Sequence, residues 1–219
     1  ESALDSYEAE RRPHAQATVA LSARLGRTVM TTNPRLAARR DAVIAATLRT
    51  PDGRAYLEQM RYRPAQRYTA GLVAPAGAGA SDSVTAAGLP IGQPRAFDTT
   101  AHAVRLLDEA LGPGWALVGV GVPAAALDAA DARLAPLAPT VWHVPVDDRL
   151  PSTTGTATGA GGLLVDVDGG LDAEFAPYRG RLVLLRPDRF VAASWLPGEQ
   201  PALEHHLHWS TPTSLAVAG

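Results

Sequence analysis

The chain has 219 residues, 46% of them hydrophobic, with a formal net charge of −2 and no cysteine. That is enough apolar material to bury a core in one or two domains. The near-neutral balance supplies no field for nucleic acid or an anionic membrane, and the lack of Cys excludes disulfides, thiolate nucleophiles and Cys-ligated zinc.

Charge is uneven along the chain. Residues 1–70 hold 12 Arg against 7 acidic residues, residues 71–219 hold 8 against 15, and Lys is absent throughout. The Arg-rich start reads as solvated or acid-paired helix faces rather than an anion site. No apolar run reaches the roughly 18–20 residues that cross a bilayer, and nothing has the layout of a signal peptide. A soluble, cytoplasmic chain is expected.

Residues 2–30 are predicted helical, because Leu4, Tyr7 and Arg11, then Val19, Leu21 and Leu25, recur at helical spacing. Pro13 lacks a backbone donor and crowds the preceding turn, so a kink or restart is expected near Arg11–Arg12. Asn33-Pro34 restarts the helix, with Asn as cap and Pro at the first position. The second helix runs from about Arg35 to Leu48. Thr50-Pro51-Asp52-Gly53 breaks it, and a shorter helix carries Tyr56, Leu57 and Met60. The narrow apolar stripes of these helices have no strands to pack upon, so they are expected to cover a neighbouring domain.

Ala74 to Ala87 and Ser152 to Gly162 are rich in Ala, Gly, Ser and Thr and read as loops. Between and after them the pattern changes to strands and helices. Trp115 to Val122 is a buried-strand candidate, Ala124 to Leu137 a helix, and Thr140 to Val146 a second strand, forming a β-α-β unit. Leu163–Val167 is a further strand and Leu171–Tyr178 a short helix. Leu182–Leu185 and Phe190–Trp195 flank the Arg186-Pro187-Asp188-Arg189 turn as a hairpin, and Pro201–Trp209 is a closing helix. This is the element order of a thioredoxin-like fold.

Several constellations compete for a functional reading. Gly119-Val120-Gly121-Val122-Pro123-Ala124 fits G-x-G-x-x-A between a strand and a helix, with Asp147 and Asp148 near the place of a ribose-binding acid. Pro123 removes an amide from that loop, so close strand–helix packing is the preferred explanation. His205 and His208 lie one helical turn apart beside His206 and Glu204, without an accompanying metal pattern. His14, His102 and His143 are isolated. Asp166 and Asp168 alternate and read as a solvated edge, and no G-x-S-x-G is present. Glu10, Arg11 and Arg12 read as ties from their helix to its neighbours, and the residues of the Arg186–Arg189 turn as turn formers with surface ion pairs. No catalytic, cofactor-binding or metal residue is assigned.

Four segments in a shared order carry a resemblance. Ser6–Ala15 reads S-Y-E-A-E-R-R-P-H-A, Met60–Pro64 reads M-R-Y-R-P, Leu106–Leu117 reads L-L-D-E-A-L-G-P-G-W-A-L, and Leu184–Ala193 reads L-L-R-P-D-R-F-V-A-A. Together they resemble the C-terminal part of FAD-dependent aromatic-ring hydroxylases of the 3-(3-hydroxyphenyl)propionate hydroxylase type. The resemblance implies an α/β fold: a helical segment at 1–68 that ends the flavin-binding part, a linker at 69–98, and a thioredoxin-like domain without C-x-x-C at 99–219. In redox-active relatives of that fold the dithiol sits where this chain has Gly121-Val122-Pro123-Ala124, so no dithiol chemistry is expected. The resemblance also implies a parent monooxygenase that uses FAD, NAD(P)H and O2 on a phenolic ring, with FAD bound by domains absent from this sequence and none bound by these residues. The chain begins at Glu1 with no flavin motif before it, so it is read as the rear portion of that enzyme. Its expected role is structural, with the missing FAD and substrate domains as partners and a homodimer as a further one. The competing reading is a stand-alone, non-catalytic thioredoxin-like interaction module.

Overall fold

The computed structural model describes residues 2–74, 87–146 and 161–199, together with Pro201 and Leu203. Most of the predicted closing helix Pro201–Trp209 and most of the two predicted loops lie outside these residues. The chain divides into two compact units, Tyr7–Arg67 and a second formed by Glu1–Ser6 with Tyr68–Gly219.

The helical unit contains most of α1 (Ser2–Val29), then α2 (Pro34–Leu48) and α3 (Pro51–Glu58). The expected restart at Pro13 does not occur: α1 runs unbroken through it. A proline costs a helix one hydrogen bond and some steric relief, and a 28-residue helix retains enough bonds on either side to absorb that loss. Asn33 caps α2 as predicted, its side chain accepting the Arg35 N–H at 3.0 Å. The end of α1 is closed from α2, where the Arg40 guanidinium donates to the carbonyls of Thr28 and Val29. The predicted breaker is also a helix start: Thr50 accepts the Gly53 N–H, Pro51 takes the first position, and α3 follows. Neither α2 nor α3 buries any residue. Tyr7, Val19 and Leu25 are 62%, 68% and 42% exposed, so most of the helical stripe read from the sequence faces outward.

The second unit is built on a seven-stranded sheet of order β2-β1-β5-β4-β3-β6-β7. Its strands are β1 (Arg95–Asp98), β2 (Ala103–Leu106), β3 (Ala116–Val120), β4 (Thr140–Val144), β5 (Gly162–Asp166), β6 (Arg181–Leu185) and β7 (Val191–Trp195). The helices α4 (Leu107–Leu111), α5 (Ala124–Leu134) and α6 (Gly170–Phe175) join them. β3, β4 and β5 run parallel, while β6 and β7 form an antiparallel hairpin on the other side of β3. The run β4-β3-β6-β7, with α5 crossing between β3 and β4, is the thioredoxin-like arrangement expected from the element order. The interval predicted to be linker, 69–98, includes β1, and the antiparallel β1–β2 pair extends the sheet beyond β5. Four-residue strands are too short for alternation to separate them from loop.

β3 alternates between two cores. Ala116, Val118 and Val120 face one cluster with Leu107 and Leu111 of α4, Leu171 and Phe175 of α6, and Trp142. Leu117 faces the other, with Leu127 and Leu134 of α5 and Trp115 and Trp195. The result is a three-layer α/β/α sandwich with apolar side chains on both faces of the central strand.

Two substitutions separate the units. Leu184→Ala, at a fully buried position of β6, is expected to lower unfolding stability by about 2–5 kcal/mol in urea denaturation. Val43→Ala in the helical unit is expected to stay within about 0.5 kcal/mol of the parent chain.

Candidate functional site

The sheet places its sharpest turn at the C-terminal end of β3, where α5 begins. Gly121 adopts φ 59°, a left-handed conformation that glycine reaches without strain, and its N–H donates to the Val144 carbonyl at 2.8 Å. A Cβ on Gly121 would lie 2.6 Å from Val146 Cγ2, and one on Gly119 would lie 2.7 Å from Val122 Cγ2. Val122 is buried in the α5-side core. Pro123 holds the N-cap of α5, its carbonyl accepting the N–H groups of Ala126 and Leu127.

These residues do not fit a dinucleotide pyrophosphate. One amide is committed to β4, one position has no N–H at all, and both glycines are closed over by side chains of the chain itself. The glycines serve close packing, as read from the sequence. The same stretch stands in the place of a redox dithiol, and its two sulfur positions are Gly121 and Ala124 here, so no thiolate can form.

His143 lies on β4, paired in register with Gly119. Burial lowers the imidazole below its ordinary value of 6.5, opposed by a hydrogen bond with the Val122 backbone. It is therefore neutral at pH 7, suited to packing rather than to holding charge. His14 lies within α1, and His102 is exposed in the β1–β2 turn at φ 52°. His205, His206, His208, Glu204, Asp147 and Asp148 lie outside the described residues. Among the described residues no group of three or more His, Asp or Glu is placed to hold a metal ion. No described helix is long and apolar enough to cross a membrane.

The acidic residues are structural where their contacts are seen. Asp166 is not a solvated edge residue. Its carboxylate accepts N–H groups from Asp168 at 3.1 Å, Gly169 at 2.9 Å and Asp172 at 3.0 Å, tying β5 to the first turn of α6. Asp168 does not share that role, and its carboxylate accepts the Gly170 N–H instead. Sequence reasoning missed Asp98, which is 2% exposed and accepts from Thr100 N–H, Thr100 Oγ1 and Ala101 N–H, with Arg105 3.8 Å away. The D-T-T-A segment carries the signal, since Asp followed by Thr favours side-chain-closed turns.

Arg12 forms an exposed ion pair with Glu8 one turn earlier on its own helix, which is local rather than a tie to a neighbour. Arg11 lies over the Tyr7 ring at 5.9 Å, and Glu10 is buried. The Arg186–Arg189 turn forms the predicted hairpin, with Pro187 and Asp188 exposed and the expected ion pairs present, but Arg186 itself is drawn inward. Arg186 is 7% exposed, forks onto both oxygens of Asp188 at 2.9 and 3.0 Å, and lies 5.2 Å over the Tyr68 ring. Arg189 adopts φ 66° and reaches the Asp108 carboxylate and the Gly112 carbonyl.

Acidification acts on these groups with one sign. For both Asp98 and Asp166, burial alone would raise the carboxyl. Their hydrogen bonds, reinforced at Asp98 by Arg105, instead carry each below its ordinary value of 3.8. The stability they contribute is present above 3.8 and is lost as pH falls through their lowered folded values. His143 adds a second window: below 6.5 the unfolded chain takes up a proton that the folded chain resists, so stability declines there too. The urea midpoint is expected to fall in both windows. His143→Gln should flatten the upper one, and Asp98→Ala should cost about 1–3 kcal/mol at pH 7.

Residues 88–209 match the model of the HcaD C-terminal domain family. The chain is 36% identical over 199 residues to 3-(3-hydroxy-phenyl)propionate/3-hydroxycinnamic acid hydroxylase 2 of Burkholderia vietnamiensis, covering 87% of this chain and 35% of that protein. It is 34% identical over 221 residues to the corresponding hydroxylase of Mycolicibacterium gilvum, covering 94% and 36%. The chain thus spans about a third of the length of these curated relatives. Among solved structures, the ternary complex of aklavinone-11 hydroxylase with FAD and aklavinone is similar at TM-score 0.49 and 18% identity, covering 95% of this chain and 34% of that one. On the family match, which takes in more than half of its residues, the chain belongs to the HcaD C-terminal domain family.

Proposed function

We propose that this chain is the C-terminal portion of a flavin-dependent monooxygenase that hydroxylates a phenolic acid of the 3-(3-hydroxyphenyl)propionate type. Residues 1–67 end the flavin-bearing part, and the sheet unit from Tyr68 onward, which takes in β1 from the stretch first read as linker, forms a thioredoxin-like domain that is structural rather than catalytic. FAD and NAD(P)H are then held by the portion of the parent outside this sequence. The observation that carries the reading is the β3–α5 turn, where Gly121 and Ala124 stand in the two sulfur positions of a dithiol and the turn packs against Val146. The outward apolar side chains of α1 to α3 support it as well, because a surface of that kind suits a covering domain. The relatives' names supply the substrate class.

Two measurements test this. Titrating the 219-residue chain with FAD should give no saturable change in flavin fluorescence, and stoichiometric binding would overturn the division of labour. In a chain extended to the relatives' full length, NAD(P)H oxidation with 3-(3-hydroxyphenyl)propionate should persist in Pro123→Ser, with kcat and KM within about twofold of the parent. A tenfold loss of kcat at unchanged stability would make the turn part of the chemistry.

A further inference from the structure

The two edges of the sheet are protected in different ways. β2, at one edge, has four residues and carries the exposed Arg105, and both features discourage pairing with another strand. β7, at the other, reads V-A-A-S-W, with no charge and no proline. A strand of that composition with a free edge is a template for another chain.

Its edge is covered at its first two residues and at Arg189 and Phe190 just before them. The Ala74 N–H donates to the Ala192 carbonyl at 2.8 Å, the Gly88 N–H to the Val191 carbonyl at 2.7 Å, and the Val191 N–H to the Leu89 carbonyl at 2.9 Å. Pro90 bridges Phe190, and the Ile91 N–H reaches the Arg189 carbonyl at 2.8 Å. The covering segments come from 68–74 and 87–91, and the Tyr68 N–H bonds the Gly88 carbonyl at 2.8 Å to join them. Tyr68 stacks on Phe190 with ring centroids 4.0 Å apart, and Arg186 lies on the tyrosine ring while Asp188 holds the guanidinium. Tyr68, Val73 and Phe190 form a small core of their own, separate from the two main ones.

We propose that segments 68–74 and 87–91 are a strap that guards the edge of β7, with Tyr68 as the latch between Phe190 and Arg186, and that releasing the strap lets β7 pair with a second copy of this chain. The strap packs on a three-residue cluster rather than on either main core, so it is expected to open at lower cost than the sheet. The strand it uncovers carries neither charge nor proline.

Amide hydrogen exchange on the intact chain tests separability first. The Tyr68, Ala74, Gly88 and Val191 amides should exchange as a group at lower denaturant than the β3 amides, and a shared dependence on denaturant would overturn the strap. Tyr68→Ala should then speed exchange at Ala74 and Gly88 by about tenfold or more, through loss of stacking and cation–π contact. Tyr68→Phe, which keeps the ring, should not. Light scattering across a concentration series should show Tyr68→Ala assembling further than the parent chain and Tyr68→Phe matching it. An opened strap with unchanged mass would defeat the guarding role, and unchanged exchange in Tyr68→Ala would defeat the latch. If Tyr68→Ala does not fold, the exchange order in the unsubstituted chain still decides.

Discussion

β3 has no exposed side: its five residues are all buried, its backbone is shared with β4 on one edge and β6 on the other, and each face meets a separate apolar cluster. That double enclosure requires small or apolar residues at every position and leaves none for a polar group. It also determines what can happen at the strand's end. The chain must leave β3, turn over Val146 and enter α5 within three residues, and Gly121 with Pro123 makes that turn. A helix N-terminus can gather anions or lower a thiol's pKa, but here the turn is closed by its own side chains.

The polar residues of this unit follow the same logic. Asp98 and Asp166 each gather backbone N–H groups that short strands and a short helix leave unsatisfied. Arg186 satisfies Asp188 within its own turn and offers its flat face to an aromatic ring. Each fixes a place where the chain reverses, and none converges with another on a cleft.

Much of this was legible in the sequence because it depends on local signals. Asn33-Pro34 and Thr50-Pro51 announce helix starts by capping chemistry, and Trp115–Val122 announces a buried strand by its unbroken apolar run. The four ordered motifs carried the family. The β1–β2 pair was not legible, since four-residue strands give periodicity too little length and their register comes from β5. Asp166 was misread because its three partners are backbone groups placed by a turn, which no side-chain pattern displays. Arg186 was taken for a surface residue because charge argues for exposure, and its burial depends on Tyr68, 118 positions earlier in the chain.

The four tryptophans all fall in the Tyr68–Gly219 unit, and Trp115, Trp142 and Trp195 are buried on one face of the sheet or the other. The helical unit has none. Indole emission from these three residues therefore follows the sheet, whereas far-ultraviolet ellipticity is weighted toward the helices. If the two signals melt at different temperatures, the molecule unfolds as two cooperative blocks, and a single midpoint would average over both.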